Sequence, residues 1–131
     1  VSKQKIFYKV VQKDHKGNWQ SAFVEGKLSL TYSVNEWTYP VIKKSRIFVF
    51  QDADYAFAFG RTIRLNPVIV FECLVKSPKE MIYVCNTYCG LSVEDAEKFW
   101  RSRKLNNSDV SISPPGSFSA SAVKLLKIYG T

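Results

Sequence analysis

Strict alternation of apolar and polar positions is clearest over residues 27–33, where Leu28, Leu30 and Tyr32 fall on one side and Lys27, Ser29, Thr31 and Ser33 on the other. A period of two predicts a strand with one wet face. Residues 5–12 (KIFYKVVQ) are rich in β-branched and aromatic side chains and predict a first strand. Asp14 and Gly17 supply turn chemistry across 13–18, so residues 19–24 should return as the second strand of a hairpin. A short buried strand is expected at 47–50. The nearly unbroken apolar run 67–76 (PVIVFECLVK) predicts a central strand covered on both faces. Residues 77–80 read as a turn and 81–86 as another strand. Residues 122–129 fit neither period cleanly, and their β-branched and aromatic content favours a strand.

Two helices complete the reading. Asp52 is placed to cap a short helix over 53–59 that stops at Gly60, with Tyr55, Ala56 and Phe59 on one face. Ser92 followed by Asp95 resembles a capping box, and Val93, Ala96, Phe99 and Trp100 form an apolar stripe over 93–104. No linker or internal repeat divides the chain. The expectation is one α+β domain spanning 1–131, with a mostly antiparallel sheet of six to seven strands and two helices.

Several short strings carry a resemblance. They are YKVV at 8–11, Gly26-Lys27-Leu28, the aromatic loop with Trp37, IFVF at 47–50, VFEC at 70–73 and PPGSFSASAVKLL at 114–126. Together they resemble small, uncharacterised α+β proteins of bacteriophages and bacterial genomes. The matching strings are core strands and turns rather than chemistry. The resemblance implies a phage or viral accessory protein and brings no activity with it.

Charge narrows the choice of partner. The net charge is +8, unevenly spread: the first 46 residues hold nine Lys/Arg against three Asp/Glu. Residues 47–97 hold four against seven, and 98–131 six against one. Basic ends brought together would attract phosphates or an acidic protein; left apart, they would serve as a solubilising surface. No apolar run reaches the roughly 18–20 residues of a membrane span. The opening residues lack the apolar region and cleavage site of a secretory signal. Three cysteines, Cys73, Cys85 and Cys89, make an odd count, as expected of reduced thiols. A cytoplasmic setting is therefore expected, that of the host if the protein is phage-encoded.

Glu72 is the sharpest candidate for chemistry. Alternation places it with Val68, Val70 and Leu74 in the most apolar segment of the chain. A carboxylate there must be paired, protonated or open to a cavity. It is either a catalytic or ligand-binding group or half of a structural ion pair. A glutamate on a strand after a hairpin and a short helix is similar to the ADP-ribosyltransferase arrangement. That resemblance implies a role for Glu72 on a nicotinamide ribose and requires an upstream polar set, for which Tyr32 with Arg46 or Arg61 would have to serve.

Other signatures fail on their residues. His15 is the one histidine, so a Ser-His-Asp system needs a turn residue and a multi-histidine metal site cannot form. Cys85 and Cys89 are spaced C-x₃-C with no second pair, so no zinc site is expected. The glycines form neither a dinucleotide fingerprint nor a phosphate loop. No metal or cofactor is predicted.

Basic residues interleaved with aromatics are the main pointer to binding. Trp37 and Tyr39 lie near Lys43, Lys44 and Arg46, and Arg101, Arg103 and Lys104 end the second predicted helix. Cations hold a phosphate backbone, and exposed rings stack on bases. Alternatively, the two rings plug the sheet and the cations are merely solvated or answer the helix dipole. The leading expectation is a non-enzymatic module binding a host protein or a nucleic acid through this surface. The alternatives are a small enzyme built around Glu72 and a virion component.

Overall fold

A computed structural model describes residues 5–14, 16–21, 30–40, 46–63, 65, 67–81, 83–85, 110–112 and 116–130. Within them lie strands β1 (Phe7–Lys13), β2 (Trp19–Ser21), β3 (Thr31–Tyr32), β4 (Trp37–Thr38) and β5 (Ile47–Phe50), then helix α1 (Ala53–Thr62). The strands β6 (Ile69–Lys76), β7 (Lys79–Glu80), β8 (Tyr83–Cys85), β9 (Val110–Ile112), β10 (Ser117–Ala120) and β11 (Ala122–Gly130) follow. Every pairing is antiparallel. Nine strands form one sheet, and β8 with β9 forms a second, small one. The α+β class with a mostly antiparallel sheet therefore holds.

The strand count exceeds the expected six to seven because bends divide long strands and short pairings form inside apparent loops. Residues 77–80 contain β7 as well as a bend, and the aromatic loop contains β4. One helix is described. The second expected helix, 93–104, lies outside the described residues.

Bends also close the sheet. β6 and β7 run as one line broken at Ser77–Pro78, while β10 and β11 run as one line broken at Ser121. Phe118 faces Glu80, Ser119 faces Lys79, Ala122 faces Lys76 and Leu125 faces Cys73, so the ladder keeps register through both bends. β10 then pairs β5, and β1 pairs both β5 and β6. The chain of pairings returns to its start, so the sheet curls back on itself as a small barrel does.

Strand alternation then sorts the side chains. Phe7, Val11, Ile47, Val49, Phe71, Cys73, Ala120, Val123 and Leu125 form the inner core, joined by Tyr32 from β3. On the outer face Val10, Phe50 and Val70 meet Ala56 of α1, with Phe57, Phe59, Leu65 and Val68 around them. Each fully buried large apolar side chain of this kind contributes about 1.5–3 kcal/mol.

Helix α1 starts at Asp52, which has extended backbone but makes no side-chain capping bond. The helix runs through Gly60 to Thr62 rather than stopping at the glycine. A Cβ at Gly60 would sit 2.3 Å from Val68 Cγ1, so this glycine permits close helix–strand contact instead of ending the helix. Tyr55 does not join Ala56 in the core. It is 38% exposed and lies over Gly116, whose φ of 77° suits glycine.

Candidate functional site

Among the described residues helix α1 covers part of the outer face, and the candidate site lies on the remainder. Register aligns this part across four strands. Tyr8 of β1 faces Glu72 of β6, Lys127 of β11 faces Glu72 from the other side, and Lys124 faces Leu74. Ala122 faces Lys76, and Trp37 of β4 faces Lys124. Directly opposed residues share a face. Tyr8, Glu72, Lys127, Leu74, Lys124, Lys76 and Trp37 therefore line one surface.

At one end of that surface lies a tight group of rings and cations. Lys76 Nζ lies 4.5 Å from the centre of the Trp37 ring and 5.2 Å from that of Tyr39. It also donates a hydrogen bond of 2.8 Å to the Tyr39 hydroxyl. Lys124 Nζ lies 5.4 Å from the Trp37 ring centre. Each distance falls within reach of a cation–π attraction. Tyr39 is 56% exposed. Among the described residues neither Lys76 nor Lys124 pairs with a carboxylate; the salt bridge they show is Lys127–Glu72. The group is thus a cationic patch in which rings and lysines touch one another.

Tyr129 stands at the other end, exposed and edge-on to Tyr8 at 5.3 Å between ring centres. It also lies 6.3 Å from Phe57 of α1, which joins the strip to the helix-covered core. Partial burial, and after it the neighbouring Glu72 carboxylate, raise the Tyr8 phenol above its ordinary value.

Glu72 lies on the face that alternation assigns it, but not in a dry pocket. α1 covers Val70, whereas the Glu72 side chain keeps 21% exposure and lies 3.5 Å from Lys127 Nζ, on a side chain 76% exposed. The residues that an ADP-ribosyltransferase-like site would need are dispersed. Tyr32 belongs to the inner core, on the opposite side of the sheet. Arg61 lies in the last turn of α1.

Arg46 has a structural place. Its Nε donates 2.7 Å to Ser119 Oγ and its Nη2 reaches the carbonyls of Ser77 and Ser119. It ties β10 to the bend after β6, where Ser77 has φ 49°. Lys43, Lys44, Arg101, Arg103 and Lys104 lie outside the described residues.

Sequence reasoning found Trp37, Tyr39 and Glu72 but missed Lys76, Lys124, Lys127, Tyr8 and Tyr129. Period-two spacing within 67–76 already put Lys76 with Glu72. What was absent was the pairing of β4 with β11, a contact between residues far apart in sequence.

The inner face holds an unexpected polar group. Alternation turns Lys9 inward between Phe7 and Val11, opposite Phe71. Its ammonium donates 2.6 Å to the Phe48 carbonyl, where β1 leaves β5 to pair with β2, and lies 6.0 Å from the Tyr32 ring centre. The residue is half-buried. Burial lowers Lys9 to about 8, against a smaller opposing effect of Cys73. Burial pushes the Cys73 thiol up to about 12, and Lys9 moderates this. The Tyr32 hydroxyl is buried without a hydrogen bond of good geometry. Burial raises its phenol, outweighing the favourable Ser21 side chain.

No helix among the described residues is long and apolar enough to cross a membrane. No protein-family model, curated protein or solved structure matches this chain.

Proposed function

We propose that this protein is a non-enzymatic accessory module, of the phage or viral type that its sequence strings resemble, and that it binds a macromolecular partner through the basic, aromatic outer face. The observation that carries this reading is the Trp37–Tyr39–Lys76–Lys124 group. Two cations without acidic partners among the described residues sit against aromatic rings, one of the rings more than half exposed. Evolution of a merely soluble surface requires no such arrangement; separate, solvated charges suffice. A partner carrying negative charge and flat or apolar groups satisfies both halves of it.

Polyanion affinity tests the reading. Reversal of both charges, Lys76→Glu with Lys124→Glu, is expected to abolish retention on immobilised heparin at low salt while leaving the melting temperature nearly unchanged. Lys76 is exposed and Lys124 half-buried on the outer face, and cation–π contacts at such sites are worth only about 0.5–1 kcal/mol each, so the fold loses little. Undiminished retention would show that the contact lies elsewhere.

A further inference from the structure

Resting on that reading, we infer that the partner is a single-stranded nucleic acid lying across the outer face from Tyr39 to Tyr129, and that Glu72 limits how tightly it is held. Rings stand at both ends of the strip, with Trp37 and Tyr39 at one and Tyr8 and Tyr129 at the other. Lys76, Lys124 and Lys127 lie between them. The strip runs along β6 and β11, from Lys76 to Glu72 and from Lys124 to Tyr129, and at about 3.3 Å per residue it spans roughly 13–17 Å, room for a few nucleotides. Bases offer their π faces only when unpaired, and stacking of this kind tolerates any sequence. A duplex would instead call for a helix or ribbon that enters a groove; this strip is the face of a sheet. An acidic polypeptide would use the lysines and leave the rings without a role.

The lysines at Trp37 are already in place for such a ligand. Trp37 is half-buried and Tyr39 exposed, and a cation over a ring at such a surface is weakly held. A base can replace Lys76 on the ring while the ammonium, a side-chain length away, takes the adjoining phosphate. Glu72 is the acidic residue that the described part of the strip carries, beside Tyr8 and Lys127. It engages Lys127 at 3.5 Å and opposes phosphate directly. Its removal frees a third cation.

Fluorescence anisotropy with a labelled single-stranded homothymidine oligomer of about ten nucleotides tests this. Binding is expected at about 50 mM salt, weakening toward about 200 mM with a log–log slope near −1.4, as roughly two phosphates neutralised by Lys76 and Lys124 require. The corresponding duplex is expected to bind at least about tenfold more weakly, since its bases cannot stack. Lys76→Ala with Lys124→Ala should flatten the slope by about 1.4. Trp37→Leu with Tyr39→Leu should weaken binding about tenfold or more and leave the slope unchanged. Glu72→Gln should tighten binding about two- to fivefold, most at low salt. Thermal melting checks each variant; if the ring variant is unfolded, the lysine and Glu72 variants carry the test.

Binding to duplex or to polyglutamate as tight as to the single strand, and lost with Lys76 and Lys124, would keep the binding face but overturn the assignment of a single-stranded nucleic acid to it. Single-strand binding indifferent to all these changes would overturn both. Absence of binding at low salt, or weaker binding by Glu72→Gln, would overturn the inference.

Discussion

Lys9 shows how a single charge on the wrong side of a strand shapes stability. Its ammonium caps a carbonyl that β5 cannot give to β1, but burial holds it near 8 against an ordinary 10.5. Below pH 8 both folded and unfolded chains carry the proton, and the desolvation cost is felt in full. Between about 8 and 10.5 the unfolded chain binds more protons, so stability rises with pH. Cys73 acts oppositely, because its unfolded thiol ionises near 9 while the folded one stays protonated to about 12. The denaturation midpoint should therefore climb between pH 8 and 9 and level off or fall above it. Lys9→Met should remove the climb and keep the decline; a wild-type midpoint flat from 8 to 9 would contradict the burial of this amine. At this scale the sequence told which face Glu72 occupies, since alternation is local. It could not tell that helix cover ends at Val70, nor that Lys127 waits beside the carboxylate. Both depend on packing between distant segments.

Among the elements, α1 teaches most about what a residue type signifies. Gly60 reads as a stop signal, yet the helix passes through it to Thr62. Its missing side chain makes room for Val68 at the junction of helix and sheet. Gly60→Ala should consequently destabilise the protein by about 1–3 kcal/mol through overpacking, although alanine improves helix propensity by about 1 kcal/mol. Urea titration measures the sign, and a stabilised variant would show that Val68 yields freely. The strands at 5–12, 47–50, 67–76 and 122–129 were legible because β-rich composition and alternation coincide there. β4 and β7 were not. Each has two residues, and each exists only because a partner strand, β11 or β10, offers it an edge. The bends at Ser77 and Ser121 were equally hidden, since a ladder that keeps its register around a corner is a property of the pair.

At the scale of the molecule, the cations of the described strands follow the faces of the closed sheet. Lys5 and Lys13 lie over Phe7, Phe118 and Trp19, on the inward-alternating side of β1 that also carries Lys9. Lys124 and Lys127 occupy the outer strip with Lys76. The basic ends anticipated as one surface are thus divided between two among the described residues, and the strip draws its cations from β6 and β11. The aromatic half of the site was foreseeable at Trp37 and Tyr39; its continuation to Tyr8 and Tyr129 required the sheet order. Photo-crosslinking of a single-stranded oligonucleotide carrying 5-iodouracil, with adducts mapped by mass spectrometry, addresses this face most directly. Adducts at Trp37 or Tyr39 and at Tyr8 or Tyr129 are the expected result. Adducts confined to Tyr55, Trp19 or residues away from the strip would contradict it.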